Sequence, residues 1–569
     1  MHRKNSWHLF VPKSYVLLRG GYTAAKLRDD VIAGITVAIV ALPLSMALAI
    51  ASGATPDKGL ITAIVAGFFI SLLGGSRYQI GGPTGAFVVV VFNVIREFGY
   101  DGLIIASAMA GVLLILAGLL RLGTYIKYIP YPVVTGFTSG IAMIIFVSQI
   151  NDFLGLGLTD VPADFVEKVI LIFENIENYN SWVLTIAIFT LCLILLIRKK
   201  APKIPAFLFS IILMSVIVWA FTIPVETIGS KFGGIPATLP VPDIPSFTFD
   251  TLKQLIPNAF TIAFLAGIES LLSAVVADGM TGTKHRSNCE LVAQGVANIA
   301  SALFAGLPAT GAIARTATNI RSGAYSPVAG MVHALALLIF IIMLAPLAGY
   351  IPLACLSAIL MVVAWNMSEF DTFIHLFKAP FGDRIVLLAT FTLTVLVDLN
   401  LAIEVGFVLS AVLFMHRMAN AVNVQTHQEI IQEDCDDLGD MELQPNTMSL
   451  PQGVISYQFN GPFFFGAAER LIETLNRTGE TPNVVILQMR DVPFIDATGC
   501  TALSIFINQS MKSGIWLIFA SCNAAVRQTL EKMNSASTKP NIHFAKTFYE
   551  ATETATEMNQ KRLGQHFEI

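Results

Sequence analysis

The chain has 569 residues, 54% of them hydrophobic and only 13% charged, with a mean hydropathy of +0.68, whereas soluble domains carry about 25% charged residues. That balance excludes an ordinary soluble protein and marks a polytopic membrane protein. A net charge of −4 and a pI near 6.2 leave no global basic patch, which argues against a nucleic-acid partner.

Residues 1–30 form an N-terminal tail with six basic side chains. The apolar segment after it, Val31 to Gly53, is long and shows no small-residue cleavage pattern, so it reads as a first membrane element and not a signal peptide. Apolar character then continues to residue 418. The expected elements are 31–53, 58–74, 84–98, 102–121, 128–150, 181–198, 204–223, 256–278, 291–306, 311–321, 327–345, 352–369, 384–398 and 401–418. They make an α-helical polytopic domain of fourteen membrane segments. A full span needs about 20 apolar residues, and 84–98 and 311–321 are too short to cross as helices.

Lys and Arg in short loops set the orientation. The N-terminal tail, Arg121 with Lys127, the cluster Arg198, Lys199, Lys200 and Lys203, Lys284 with Arg286, and Arg417 fall on one side if fourteen elements are counted. Residues 151–180 carry six acidic residues against one Lys and fall on the other. Both termini are therefore expected in the cytoplasm of a cell whose inner membrane holds the domain.

The two short elements share a feature. "YQIGGPTGAFVVVV" and "AGLPATGAIARTATN" each place a Gly/Pro break beside a Thr-Gly-Ala triplet, at Thr84–Ala86 and Thr310–Ala312. In hydrocarbon every backbone N–H and C=O must be paired within the protein, so such breaks survive only where the backbone faces protein or a wet cavity. Two half-helices starting near the midplane would leave the N–H groups of Thr84, Gly85, Ala86 and Phe87, and of Gly311, Ala312, Ile313 and Ala314, free to hold an anion. Gly85 and Gly311 would admit a substrate to the backbone, while Thr84 and Thr310 could cap the helices or offer hydroxyls. Tight helix packing is the alternative use of such Gly and Pro residues. Short interrupted segments in corresponding halves point to a transporter site between inverted repeats.

Glu269, in "AFLAGIESLLSAVVA", is a carboxylate at membrane depth with Ser273 one turn on along the same face. A charge there is costly unless protonated, paired or wet, so Glu269 with Ser273 is the candidate coupling pair. Arg315, one turn into the second half-helix, could draw anions into the cavity, or could simply neutralise Glu269.

Residues 419–452, with acidic Glu433, Asp434, Asp436, Asp437 and Asp440, read as a solvated tether. From 453 to 569, β-rich apolar runs ("VISYQF", "NVVILQM", "GIWLIFASC") alternate with amphipathic stretches, which describes a small α/β domain. Six scattered cysteines, Cys192, Cys289, Cys355, Cys435, Cys500 and Cys522, show no CxxC or metal-ligand spacing, and no metal site is expected.

"DVIAGITVAIVALPLSMALAIASG", "GGSRYQIGGPTGAF", "DGMTGTKHRSNCELVAQGVANI" and "ARTATNIRSGAYSP" occur in order, and together they resemble the SulP (sulfate permease) family of anion transporters across nearly the whole chain. "GPFFFGAAERL" with "VPFIDATGCTAL" resembles a STAS domain. The resemblance implies 7+7 inverted repeats with core and gate domains, an anion between the half-helices, a homodimer, and a cytoplasmic STAS domain open to a protein partner. It places Leu44, Ser45, Thr84 to Phe87, Glu269, Ser273 and Ala312 to Arg315 around the substrate. "GITVAIVALPLSMALAI", "DGMTGTKH" and "VAWNMSE" are most similar to the DauA-type branch, which implies proton-coupled uptake of C4-dicarboxylates such as succinate. Sulfate or bicarbonate transport is the alternative. The sodium-coupled bicarbonate branch carries an Asp where Glu269 stands and a Thr where Ile313 aligns, so a proton is the favoured coupling ion over sodium. In the STAS domain Thr498 aligns with a phosphorylatable position, and otherwise caps the helix after it. No Walker sequence or nucleophile–base arrangement is evident, so neither an enzyme nor a cofactor is expected; an anion channel or an anion sensor signalling through STAS are the other classes.

Overall fold

A computed structural model of the full chain describes residues 9–124, 130–430, 448–463, 482–533 and 541–565, apart from single positions 159, 160, 163, 202, 203, 237, 239, 244, 247, 398, 422, 428 and 462. The chain divides into two compact units, 1–410 and 411–569.

In the first unit a short helix α1 (Lys13–Arg19) precedes α2 (Ala24–Ala51), α3 (Pro56–Leu73), α4 (Val88–Leu119), α5 (Tyr131–Ser148), α6 (Ile150–Leu154), α7 (Phe165–Glu174), α8 (Ser181–Lys200) and α9 (Ala206–Ala220). The second half runs through α10 (Ile228–Phe232), α11 (Phe249–Thr281), α12 (Ser287–Leu303), α13 (Ile313–Arg321), α14 (Val328–Ala348), α15 (Leu353–Met367), α16 (Phe370–Leu376), α17 (Phe381–Leu396) and α18 (Leu399–Ala421). Helices occupy all fourteen expected segments, although length and hydropathy qualify eight segments as crossings among the described residues. The expected gap between 84–98 and 102–121 coincides with Gly99, whose φ of 73° breaks α4.

Two helix sets emerge from the packing. α2, α3, α4, α11, α12, α13 and α14 form one, with α4 lying on both α11 and α12, and α14 on both α2 and α3. α5, α8, α9, α15 and α17 form the other, and the sets meet where α2 touches α9 and α15. The α4–α12 crossing is close because glycines face each other: a Cβ on Gly111 would lie 2.6 Å from the Gly295 carbonyl, and one on Gly295 2.5 Å from that of Gly111. Large apolar side chains such as Phe189, Leu195, Ile212, Trp219, Met343 and Phe414 remain exposed on the helices, as expected where hydrocarbon is the solvent.

One carboxylate fastens the start of α2 to the start of α14. Asp30 is fully buried and accepts four hydrogen bonds: from the Tyr22 hydroxyl (2.6 Å), the Tyr325 and Ser326 amides (2.6 and 2.9 Å) and the Ser326 hydroxyl (2.5 Å). The chain leaving α13 is thereby fixed to α2.

The second unit contains a five-stranded sheet of order β3-β6-β7-β8-β9, from β3 (Asn423–His427), β6 (Val454–Asn460), β7 (Val484–Asp491), β8 (Trp516–Ala520) and β9 (Ile542–Ala545). Among the other β segments, β1 (Gly81–Gly82) and β2 (Thr310–Gly311) pair in the first unit, and β4 (Glu429–Ile430) pairs with β5 (Met448–Ser449). The β6 to β9 pairings are parallel and β3 is antiparallel. Alternate residues serve opposite faces: Val485 and Leu487 pack with Leu503, Ile507, Val526 and Leu530 from α19 (Ala497–Lys512) and α20 (Ala524–Lys532), while Val484 and Ile486 pack with Ala551 and Ala555 of α21 (Phe548–Gln565). The tether expected over 419–452 is corrected at its start, since Asn423–His427 is the edge strand. Its polar sequence hides a strand whose attachment is by backbone hydrogen bonds, which need no apolar run. The acidic cluster at 433–440 lies outside the described residues. Asp496, not Thr498, caps α19, accepting from the Gly499 amide at 2.6 Å; the side chain of Thr498 lies outside the described residues.

Replacing Asp30 with Asn should destabilise the protein by about 2–4 kcal/mol, because the buried donors lose a charged acceptor. A lowered thermal-unfolding midpoint of the purified chain checks this, with exposed Asp29→Asn expected to leave the midpoint unchanged.

Candidate anion site between two helix breaks

The two Thr-Gly-Ala breaks meet. β1 (Gly81–Gly82) pairs antiparallel with β2 (Thr310–Gly311), in the register Gly81 with Gly311 and Gly82 with Thr310. Glycine is required by proximity: a Cβ on Gly81 would overlap Ile70, one on Gly82 the guanidinium of Arg315, and one on Gly311 the amide of Gln79. The remaining non-helical backbone is paired by side chains from neighbouring helices. Asn298 binds Ala309 at both its carbonyl and its amide (2.9 Å each), Thr62 accepts from the Leu307 amide (2.6 Å), and Ser301 donates to the Leu307 carbonyl (2.7 Å). On the first break, Glu290 accepts from the Gly75 and Ser76 amides (2.8 and 3.1 Å), Thr316 from Ile80 (3.1 Å), and Asn319 donates to Tyr78 (3.0 Å).

Past β1, Thr84 precedes a single 3-10 turn, Gly85–Phe87, that runs into α4. Its side chain forms no cap; the hydroxyl donates instead to Glu269 Oε2 at 2.8 Å. The Phe87 amide turns back to the Thr84 carbonyl (3.3 Å), leaving Gly85 and Ala86 as the first-turn amides without an intrahelical acceptor. Past β2, α13 starts at Ile313, and its first intrahelical bond is from Thr316 to Ala312 (2.9 Å). The amides of Ile313, Ala314 and Arg315 are therefore the free ones.

That corrects the expectation for the second break. The Gly311 amide donates to Ser270 Oγ (3.0 Å) and the Ala312 amide to the Ile80 carbonyl (2.8 Å), so neither is available to an anion. Thr310 does not cap α13; its hydroxyl bonds the Ala266 carbonyl (3.0 Å) and pairs with Ser270 Oγ (2.7 Å). The Ala312 N–H is consumed by the other break and the Gly311 N–H by a side chain of α11, two long-range contacts that no local pattern encodes.

The charges are arranged without an ion pair. Arg315 is 2% exposed, and its Nη2 donates to the Pro83 carbonyl while Nε and Nη1 have no partner. Glu269 is half-buried, bound to Thr84, and within the Coulomb field of Arg315; among the described residues the two form no salt bridge. Ser273 donates to Thr316 Oγ1 at 3.2 Å, supporting α13 and not the Glu269 carboxylate. In α2, Pro43 removes a helix hydrogen bond just before half-buried Leu44 and fully buried Ser45, whose hydroxyl has no partner. Ile313 and Ala314 are exposed, whereas Ala86 and Phe87 are buried and Gly85 lies against Met367 and Ile145, so the α13 end is the open side of the site.

The residues that hold the breaks in place, Gln79, Ser270, Glu290, Asn298 and Thr316, were not singled out from sequence. One signal was present: Glu290, Gln294 and Asn298 recur every four residues as a buried polar stripe along the helix.

Residues 27–390 match the sulfate permease family and residues 447–551 the STAS domain. The chain is 42% identical over 517 residues to a Bacillus subtilis (strain 168) protein named "Putative sulfate transporter YvdB", covering 90% of this chain and 94% of that one. It is 32% identical over 524 residues to the bicarbonate transporter BicA of Picosynechococcus sp., covering 89% and 91% of the two chains. Among solved structures, the transmembrane domain of a cyanobacterial bicarbonate transporter BicA superposes with a TM-score of 0.61 at 34% identity, over 67% of this chain and 98% of that one. The murine Solute Carrier 26 family member A9 anion transporter, in the inward-facing state, superposes with a TM-score of 0.85 over 98% of this chain and 96% of that one; at 18% identity it shares the fold.

Asn298→Leu leaves the Ala309 amide and carbonyl unpaired in an apolar interior, at about 1–3 kcal/mol for each group. The expected outcome is a lower thermal midpoint with transport lost in the surviving folded protein, whereas Thr185→Val, at an exposed position of α8 whose hydroxyl bonds only its own helix, retains transport.

Proposed function

Because the chain belongs to the sulfate permease (SulP) family and is an anion transporter with a terminal STAS domain, we propose that it carries a small oxyanion together with protons by alternating access. The observation that carries this reading is the Thr84–Glu269 hydrogen bond of 2.8 Å beside two helix N-termini. Free amides of Gly85, Ala86, Ile313, Ala314 and Arg315 and the unpaired guanidinium nitrogens favour an anion. An ionised Glu269 opposes it, since like charges about 4 Å apart repel by about 4 kcal/mol at a near-surface dielectric. A proton on Glu269 removes that repulsion, so proton and anion enter together. Ile313 offers no oxygen in the first turn of α13, which supports a proton over sodium. The core set α2–α4 and α11–α14 carries the site and moves against the set of α5, α8, α9, α15 and α17.

Relatives named for sulfate and for bicarbonate support an oxyanion of that size as substrate. A C4-dicarboxylate is the alternative, supported by the three DauA-like motifs. In the same reading the chain forms a homodimer in a bacterial inner membrane, with both termini and the STAS domain cytoplasmic, where STAS could meet a protein partner.

Labelled sulfate, bicarbonate and succinate uptake into proteoliposomes, with and without an inward proton gradient, tests this. The gradient is expected to stimulate sulfate or bicarbonate uptake. Glu269→Gln should abolish the stimulation, and Thr84→Val should weaken it. Stimulated succinate uptake alone would move the substrate to the dicarboxylate class. Uptake indifferent to both gradient and Glu269→Gln would remove the coupling mechanism; non-saturable flux would indicate a channel, and no flux at all a sensor.

A further inference from the structure

The N-terminal segment before α2 is built into the bundle and contributes no residue to the candidate anion site. The Lys13 amide donates to the Gly74 carbonyl (3.0 Å) and Ser14 Oγ to Leu72 (2.5 Å), at the end of α3. From the start of α12, Arg286 Nη1 donates to the Val11 carbonyl (2.5 Å) and the Cys289 thiol to Phe10 (3.4 Å). α1 is thus laid across the rim where α3 ends and α12 begins. Its other face is apolar and uncovered: Tyr15, Val16 and Leu18 are 55%, 40% and 47% exposed.

Three cations gather under this segment. Partial burial of its ammonium, followed by the charges of Arg286 and Arg77, holds the pKa of Lys13 below the usual lysine range, against the opposing pull of Asp278. Arg77 Nε is buried without a hydrogen-bond partner, and among the described residues no carboxylate forms an ion pair with Lys13, Arg77 or Arg286. The nearby acids are engaged elsewhere. Asp278 binds His285 through both Nδ1 (2.7 Å) and the backbone amide (3.0 Å), and Glu290 holds Gly75, Ser76 and Gln294.

We propose that Lys13, Arg77 and Arg286 form a binding site for the phosphodiester headgroup of an anionic phospholipid, roofed by α1 lying in the membrane plane. Unpaired cations at the rim of a membrane domain match the phosphate, and the uncovered Tyr15, Val16 and Leu18 match the acyl boundary beside it. A dissolved phosphate would satisfy the cations but leave that apolar face in water. The site lies at the end of α3 that leads into the first break, so an occupied headgroup would brace the segment Glu290 holds. The inference needs only that the chain spans a membrane, not the coupling mechanism above.

Native mass spectrometry of the full chain, extracted from vesicles of phosphatidylcholine with added phosphatidylglycerol, tests it. Wild type should retain phosphatidylglycerol in preference to phosphatidylcholine. Lys13→Gln/Arg77→Gln should weaken that binding by about 30-fold, the loss of two basic side chains at a membrane surface. Lys13→Arg/Arg77→Lys, which keeps both charges, and Arg28→Gln, an exposed control, should bind as wild type. No preference in the wild type overturns the proposal, as does undiminished binding in the glutamine variant. Displacement of the lipid by inorganic phosphate at equal concentration would make it a small-anion site and also overturn it. If the glutamine variant aggregates, the wild-type preference and the phosphate competition decide.

Discussion

The structure depends on the constraint that no backbone polar group be left unpaired in hydrocarbon. Two helices are interrupted inside the bundle, and each interruption exposes amides and carbonyls that water cannot reach. The solution is mutual: Gly81–Gly82 and Thr310–Gly311 pair with each other, and Asn298, Ser270, Thr62, Thr316 and Glu290 complete the pairing from flanking helices. Because those donors and acceptors come from α3, α11, α12 and α13, the breaks lock four helices into one body. In the proposed alternating access, this lets the set carrying the proposed site move as a unit.

What the pairing leaves over defines the proposed site. The Gly311 and Ala312 amides are spent on Ser270 and Ile80, so the positive end of the second break starts at Ile313, one residue past its triplet, while that of the first lies at Gly85 and Ala86 inside its own. Arg315 is held against the first break through Pro83 and keeps two nitrogens free, while Glu269 is tied to the same break through Thr84. Opposite charges are thus anchored to one segment without meeting each other. In the proposed reading an anion transporter gains from this arrangement, since a closed Arg–Glu pair would neutralise the field that attracts the substrate.

Much of this was legible in the sequence. The break before Phe87, the interruption near Gly99 and the intramembrane Glu269 follow from Gly/Pro placement and from the cost of charge in lipid. The α/β pattern of the terminal domain follows from strand and helix periods. Other features were hidden for a physical reason. Asn423–His427 is polar and pairs with Val454–Asn460 through its backbone, so hydropathy reads it as linker. Ser273, one turn from Glu269, was expected beside the carboxylate, yet its hydroxyl meets Thr316 on another helix.

Composition and periodicity alone determined that the chain is a membrane bundle followed by a small α/β domain, and that two helices break beside Thr-Gly-Ala triplets, because each of these depends on the polarity of residues close together along the chain. Tertiary structure alone decided which amides stay free, which side chains pair the breaks, and that Arg315 and Glu269 remain apart. Those outcomes are set by contacts between positions such as Ile80 and Ala312, Ser270 and Gly311, or Asp30 and Ser326. A hydrogen bond between distant segments leaves no mark on the local pattern of either one.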